Sequence, residues 1–192
     1  MKKNLLLMVM ILFCATAYAQ NKFNLADVKS LTFYGIDFSI AKVHGGKETA
    51  HQYWTTYADI NELFIDKPKT FSIEKRLGIP VDVISLEAVN QVNKKINPDS
   101  IKIDVSTYMP TGEQITEAVK NLPILSQEEK TGLVIVALFL NKADNRGTYQ
   151  FVVFNTKTRE IIEQWTNSGA GMGYNLKSYW GVSVYNAIKK IK

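Results

Sequence analysis

The stretch LVIVALFL, residues Leu133–Leu140, carries the strongest fold signal in this chain. Each of its residues is apolar, and most have branched side chains. An uninterrupted run of this kind is typical of a central β-strand that other elements cover on both faces. We therefore expect the sheet of the protein to be built around this strand.

The segments that follow this strand predict two more strands and a final helix. Tyr149–Phe154 and Glu160–Trp165 have strand-like patterns, and only the short sequence NTKTR joins them. So short a connection permits antiparallel pairing only. The last segment, Leu176–Ile191, has apolar residues at helical spacing and predicts a terminal helix.

The region before the central strand begins with Leu31–Val43, which predicts one long strand. Gly35 within it indicates a bulge or a close approach of another segment. The residues that alternation places on one apolar face are Tyr34, Ile36, Phe38 and Ile40.

Helix-start patterns divide the rest of this region. Thr49 and Thr111 each begin a capping box, Ser85 is a candidate cap, and Ser126 opens a single turn. Two short strand candidates lie among them, Val81–Ile84 and Ile101–Val105.

Together these patterns predict an α/β fold, in the sense of an α+β sandwich: a mixed sheet with a C-terminal antiparallel meander and helices packed on it. No internal repeat, low-complexity tract or linker interrupts residues 20–192. We interpret that range as a single α/β domain.

The N-terminus predicts export. Lys2 and Lys3 precede the apolar run Leu5–Phe13, and Ala17-Tyr18-Ala19 presents small residues where signal peptidase reads them. We therefore expect residues 1–19 to be a signal peptide and the mature chain to lie in the periplasm or outside the cell. The apolar run is shorter than the roughly 20 residues of a membrane span, so we expect no transmembrane segment in the mature chain.

The only cysteine, Cys14, lies inside this leader. Lipidation of Cys14 is the alternative, but the bulky Leu12 and Phe13 occupy positions where lipoprotein signals carry small residues. Cleavage would leave no thiol and no disulfide, so the core alone would stabilise the exported chain. The net charge of +5, of which Lys2 and Lys3 supply two, does not favour a nucleic-acid partner.

A glycine-rich segment, SGAGMGYNLKSYWG (Ser168–Gly181), joins the last strand to the final helix. Nucleotide loops lie at such junctions, but the dinucleotide pattern needs Gly or Ala where Tyr174 stands, and no strand follows the helix. A phosphate loop is excluded too, because Leu176 precedes Lys177. We therefore predict no cofactor, and we expect a tight connector whose aromatic and polar residues suit recognition.

The sequence contains no recognisable catalytic set. His44 and His51 are the only histidines, and their spacing matches no metal motif, so we predict no metal site and no catalytic residue. Ser-x-x-Lys at Ser39 and Ser72, and Lys-Thr-Gly at Lys130, match patterns of penicillin-binding enzymes. The Ser-Asp-Asn element of those enzymes is missing.

Asp37 interrupts an apolar strand pattern. One interpretation is that the strand face with Asp37 is exposed to solvent or lies at a sheet edge. The other is that Asp37 is a polar anchor in a pocket or interface. The candidate ligand- or partner-binding residues are Asp37, Gly169, Gly171, Gly173, Tyr174, Asn175 and Lys177.

Three segments carry a resemblance to a known family: FYGIDFSIAKV (33–43), VVFNTKTREII (152–162) and GAGMGYNLKSYWGVSVYNAIKKI (169–191). They resemble a family of small exported proteins of Bacteroidetes-type bacteria, in which Asn-Tyr-Trp precedes the last helix. Here the asparagine is replaced, since the segment reads Lys177-Ser178-Tyr179-Trp180. The resemblance implies a single secreted α/β domain and no particular activity. The order of elements is similar to envelope proteins such as the amino-terminal domain of TolB.

Two hypotheses on function follow. The first is an exported, non-catalytic protein that binds another cell-envelope component, such as an envelope protein, through the glycine-rich segment and Asp37. The second is a small-molecule or glycan binder, or a hydrolase, with a pocket near Asp37 and the same segment.

Overall fold

The computed structural model describes residues 25–125 and 128–191. The predicted signal peptide and the start of the predicted turn at Ser126 lie outside these residues. The described strands are β1 (Leu31–Asp37), β2 (Lys42–His44), β3 (Val81–Ile84), β4 (Thr131–Asn141), β5 (Arg146–Asn155) and β6 (Ile161–Ala170). The described α-helices are α1 (Ala50–Asp66), α2 (Glu74–Leu77), α3 (Glu87–Lys94), α4 (Gly112–Lys120) and α5 (Leu176–Ile188).

The strands form one mixed sheet in the order β3-β1-β4-β5-β6, with β2 also paired to β4. β1 is parallel to β3 and β4, and β2 is parallel to β4. β4, β5 and β6 are antiparallel neighbours. The predicted α/β class, with its C-terminal antiparallel meander and packed helices, is confirmed.

β4 is the central strand, as its uninterrupted apolar sequence predicts. Its residues from Gly132 to Asn141 are all buried. Leu133 and Ile135 belong to a first apolar cluster, which α1 and α5 cover, whereas Val134 and Val136 belong to a second cluster under α3 and α4. A strand covered on both faces has no solvent side, which explains why no polar residue alternates along it.

The prediction of one long strand over Leu31–Val43 is wrong, because the chain breaks into β1 and β2. Asp37 Oδ1 accepts the backbone N–H of Ser39 at 2.7 Å, and the N–H of Ala41 donates to the carbonyl of Phe38 at 3.0 Å. An aspartate that bonds the backbone two residues ahead is a common way to form a turn. Both strands nevertheless run along β4.

The predicted common face of this segment is also wrong. Gly35 has φ +88°, and the register with β4 shifts between Phe33 and Ile36. This bulge, which the sequence predicts, adds a residue and turns Tyr34 to the second cluster while Ile36 faces the first. A Cβ on Gly35 would lie 2.7 Å from Leu86 Cδ2, so the close approach is present as well.

The helix-start predictions have mixed outcomes. The capping boxes at Thr49 and Thr111 are confirmed. Ser85 is not a cap, because α3 begins after Leu86 and no side chain caps it. The strand predicted at Ile101–Val105 is reduced to an isolated bridge between Val43 and Lys102.

The two ends of the sheet carry different loops. At the carboxyl end, where β2 and β4 finish, His44 pairs with Asn141 and Arg146 pairs with Ala170. The glycine-rich segment therefore starts at this end. The amino end is where β1 and β4 begin and where the β5–β6 connection lies.

Candidate functional site

Asp37 is buried at the end of β1, with 1% of its surface exposed. The interpretation of a wet or edge-like face is therefore wrong. Burial raises the pKa of Asp37, and the hydrogen bonds from the Ser39 backbone and hydroxyl only partly oppose this rise. The Asp37 carboxyl group accepts its hydrogen bonds from Ser39, two residues further along the chain. We therefore interpret Asp37 as the residue that ends β1 and starts the turn.

Two buried asparagines, which the sequence analysis did not single out, hold the backbone beside Asp37. Asn61 Oδ1 accepts the N–H of Ile36 at 2.7 Å, and its Nδ2 donates to the same residue's carbonyl at 2.9 Å. Asn93 Oδ1 accepts the N–H of Phe38 at 2.8 Å, and its Nδ2 also donates to the Ile36 carbonyl. β3 ends at Ile84, so these amides take the place of a neighbouring strand. An asparagine among the apolar residues of a helix is the sequence pattern that could have predicted these two buried amides.

The glycines of the glycine-rich segment allow α5 to approach the sheet. A Cβ on Gly169 would lie 1.9 Å from the Ser183 carbonyl oxygen, and one on Gly171 would lie 2.4 Å from Tyr179 Cε1. Gly173 has φ +157°, and its Cβ would meet Ser178. These positions need glycine because helix atoms occupy the space of a side chain, which explains the composition without a phosphate ligand.

Asn175 and Lys177 also have structural partners. Asn175 Oδ1 accepts the N–H of Ser178 at 2.8 Å and caps α5. Lys177 Nζ lies 3.9 Å from Asp66 Oδ2, in a pair that is too exposed to stabilise the fold much. Their roles in binding stay predictions.

Met172 and Tyr174 differ from their neighbours because their side chains project into solvent. Met172 is 71% exposed and Tyr174 is fully exposed. The backbone on either side of them is nevertheless held, since the N–H of Gly171 donates to the Asn145 carbonyl at 2.8 Å and Asn175 caps the helix. The segment therefore presents two large apolar side chains from a fixed loop.

A polar cluster ties this loop to the rest of the carboxyl end. Glu48, after β2, forms an ion pair with Lys142 in the β4–β5 turn, and the Tyr53 hydroxyl donates to Glu48 at 3.5 Å. Lys142 Nζ lies 5.0 Å from the ring centroid of Tyr179, whose hydroxyl donates to Asn145. Burial favours a higher pKa for Glu48, but the hydrogen bond and charge of Lys142 outweigh it and lower the pKa.

A second loop reaches the same turn. Asn141 Nδ2 donates to the Ser106 carbonyl at 3.1 Å, and Lys102 Nζ donates to the Glu48 carbonyl at 3.0 Å. Val105 and Met109 in this loop are exposed. We define the end surface by four exposed apolar residues on these two loops: Val105, Met109, Met172 and Tyr174.

Asp37 and the glycine-rich segment lie on opposite sides of the sheet. Asp37 pairs with Val136, whose side chain belongs to the second cluster. Gly169 packs against Ser183 of α5, which covers the first cluster. A pocket shared by Asp37 and this segment is therefore not formed in the described part of the chain.

The histidines make ordinary contacts. His44 Nδ1 lies 3.3 Å from the Ile103 carbonyl oxygen, and the His51 ring is edge-on to Trp54. Within residues 25–125 and 128–191, no three His, Cys, Asp or Glu side chains group in a way that could hold a metal ion. None of the helices in those ranges has the length and apolar character to cross a membrane.

Comparisons with known proteins give one distant structural likeness. No protein-family model matches the chain, and no curated protein matches it. Among solved structures, it is similar to the LpoB C-terminal domain from Salmonella enterica, with 11% sequence identity and a TM-score of 0.32. The match covers 74% of this chain and 82% of that chain. The resemblance to the Bacteroidetes-type family stays a prediction.

Proposed function

We propose that this protein is exported and acts without catalysis, by binding another protein of the cell envelope through the end surface. The observation that carries the proposal is the exposure of Met172 and Tyr174 on a loop whose backbone is hydrogen-bonded on both sides. Large aromatic and thioether side chains of this kind are enriched at protein interfaces.

The fixed backbone favours binding because ordering a loop costs free energy. Gly171 is bonded to Asn145, and Asn175 begins α5 with a capping box. A partner that covers Tyr174 would therefore gain apolar burial without having to order the segment first. The Glu48–Lys142 pair supports this arrangement, since it joins the loop after β2 to the turn that holds Gly171.

The predicted signal peptide supports the location of the partner. Cleavage after Ala19 would release the chain into the periplasm or outside the cell, where envelope proteins are the available partners. Asp37, which the sequence analysis also singled out, is buried on the other side of the sheet and has no part in this proposal.

Site-specific photo-crosslinking in the native cell tests the proposal. A photoreactive phenylalanine at Tyr174 is expected to give one dominant protein adduct in the envelope fraction. Glu163 is the control, because it is exposed on β6 and lies outside the end surface. An equal adduct to the same partner from position 163, or none from position 174, would contradict the proposal.

A further inference from the structure

β6 forms one edge of the sheet. Among the described strands it pairs with β5 alone, and it lies at the end of the strand order. It is ten residues long, Ile161–Ala170, and its sequence contains no proline. A long edge strand presents backbone N–H and C=O groups with which another strand can pair. The edge can therefore accept a further strand wherever its outward groups are uncovered.

Two hydrogen bonds near the end of β6 show which of its residues direct their backbone outward. The N–H of Gly171 donates to the Asn145 carbonyl at 2.8 Å, on the side of β5. The carbonyl of Ser168 instead accepts from Lys190 Nζ at 2.6 Å, a side chain that follows α5. Gly171 thus points toward β5, and Ser168 points away from it.

The same alternation identifies two more outward residues. Residues of an antiparallel strand alternate between those that bond the neighbour and those that point away. The pairing of β6 with β5 is regular from Glu163 to Ala170. Gln164 and Thr166, which lie two and four residues before Ser168, therefore also direct their N–H and C=O groups outward.

These two residues are uncovered at their backbone. Within residues 25–125 and 128–191, no group donates to or accepts from the outward N–H and C=O of Gln164 or Thr166. Features that hinder strand addition lie on either side of them: a bulge within Ile161–Glu163 and the Lys190 side chain at Ser168. We call the residues between these features, Gln164, Trp165 and Thr166, the open edge.

Opposite charges flank the open edge. Glu163 is exposed at its start, and Lys190 is exposed at its end. Neither forms an ion pair among the described residues. Antiparallel pairing places the start of one strand beside the end of the other. A second, antiparallel β6 would therefore set Glu163 of each copy beside Lys190 of the other, whereas a parallel one would set like charges together.

Trp165 lies at the centre of the open edge. One side of its ring stacks on Phe151 at 5.5 Å between centroids, and the side chain stays partly exposed. If Gln164 pairs with Thr166 of a second copy, the two Trp165 residues lie directly opposite each other. They then occupy a pair without backbone hydrogen bonds, where cross-strand side chains come closest and aromatic pairs are favourable.

The position of α5 leaves room for this pairing. α5 packs on the second half of β6, since Gly169 approaches Ser183 and Asn167 Nδ2 donates to the Ala187 carbonyl at 3.1 Å. In an antiparallel pair the second halves of the two strands lie at opposite ends. The two α5 helices therefore do not face each other across the joint.

We propose that the open edge binds a second copy of this chain, by antiparallel pairing of the two β6 strands about a two-fold axis at Trp165. Gln164 of each copy exchanges backbone hydrogen bonds with Thr166 of the other. Glu163 of each copy forms an ion pair with Lys190 of the other, and the two sheets become continuous. The proposal does not depend on the end surface. A photoreactive residue at position 163 would accordingly crosslink two copies of this chain, a product distinct from the partner adduct at position 174.

Sedimentation equilibrium of the purified protein tests the pairing. We expect a monomer–dimer equilibrium with a Kd below about 100 µM. A two-fold contact uses the same edge of both copies, so the assembly should end at the dimer. Protein that stays monomeric at about 500 µM, or that forms larger assemblies, would overturn the proposal.

Charge reversal assigns the dimer to β6. Glu163→Lys and Lys190→Glu should each weaken it at least about fivefold, because each sets like charges against each other at both ends of the joint. An equal mixture of these two variants should recover dimers, since the mixed pair has opposite charges at both contacts. Glu62→Lys makes the same change of charge on the exposed side of α1 and should leave the dimer unchanged. An unaltered dimer in either β6 variant, or a mixture no more dimeric than its components, would overturn the proposal.

Thr166→Pro tests the backbone hydrogen bonds separately. Proline removes an N–H that points away from β5, so the ladder within the sheet is kept and the dimer should weaken at least about tenfold. Thr166→Ala is the matched control, because it loses the hydroxyl that bonds Gln150 but keeps the N–H. Circular dichroism checks the fold of both variants, and the charge variants provide the test if the proline variant fails to fold. An unchanged dimer in a folded Thr166→Pro variant would overturn the proposal.

Discussion

Glu48 and Lys142 form an ion pair between residues that are 94 positions apart in the chain. The pair joins the loop after β2 to the β4–β5 turn, and the ring of Tyr179 lies beside the ammonium group. Two side chains that define the carboxyl end of the sheet thus come from segments with no recognisable pattern of their own.

Replacing Glu48 is expected to weaken the fold in a pH-dependent way. The folded pKa of Glu48 is below its ordinary value of 4.5, so its contribution to stability is present above that pH and is lost as the pH falls through the folded pKa. Glu48→Gln should therefore lower the free energy of unfolding at pH 7 by about 1 kcal/mol, and this difference should vanish in acid. Urea unfolding between pH 7 and pH 2 measures it.

Glu62→Gln is the matched control for this experiment, because Glu62 is exposed on α1. We expect the control to unfold like the unaltered protein at every pH. A Glu48→Gln loss that persists unchanged below pH 3 would contradict a role for the carboxylate charge.

Replacing Asp37 is expected to raise the free energy of unfolding at neutral pH, whereas replacing Glu48 lowers it. Its folded pKa is raised above the ordinary value of 3.8, so its contribution favours the fold below that pH and is lost as the pH rises through the folded pKa. Asp37→Asn keeps an acceptor for the Ser39 N–H without a buried charge. It should therefore raise the free energy of unfolding at pH 7 and change little below pH 3.8.

The same unfolding measurement checks this prediction. A less stable Asp37→Asn variant at pH 7 would mean that the charged carboxylate has a stabilising partner or a function of its own. Crosslinking at position 174 should be unaffected by the substitution, since Asp37 lies on the other side of the sheet.

Removing the amide of Asn61 should unpair the N–H of Ile36, which Asn61 Oδ1 accepts. The Ile36 carbonyl keeps Asn93 as a donor, so only one buried group is left without a partner. Asn61→Ala is expected to cost about 2–4 kcal/mol, from the unpaired N–H and the lost packing. Thermal unfolding of both variants measures this loss. Asn121→Ala, at an exposed position after α4, should cost much less. Equal losses would show that the Asn61 amide has no special part.

Gly169→Ala is expected to separate α5 from the sheet. Its Cβ would lie 1.9 Å from the Ser183 carbonyl oxygen, a backbone atom that cannot move without the helix. We expect a loss of about 1–3 kcal/mol or more in the free energy of unfolding. Gly112→Ala is the control, because nothing lies within 4 Å of its Cβ and it begins α4. A Gly169→Ala variant as stable as this control would contradict the close packing.

The sequence predicts those features that short patterns encode. The apolar run Leu133–Leu140 predicts the central strand, and Thr49 and Thr111 predict helix starts, because each signal lies within a few residues of its effect. The break after Asp37 depends on β3 ending early and on amides from two helices, so alternation along Leu31–Val43 does not reveal it. Such tertiary partners override local pattern.

The candidate site divides in the same way. Tyr174 is exposed, and its part in recognition stays a prediction. The glycines of this segment are needed because α5 packs closely against them. The sequence predicts the helix but not how closely it approaches the sheet.

The affinity of the crosslinked partner for the end surface tests the central claim most directly. With the purified partner identified at position 174, the double variant Met172→Ser/Tyr174→Ala is expected to bind at least about tenfold more weakly than the unaltered protein. Glu163→Gln is expected to bind as the unaltered protein does. An unchanged affinity of the double variant, with its unfolding unaltered, would contradict the account.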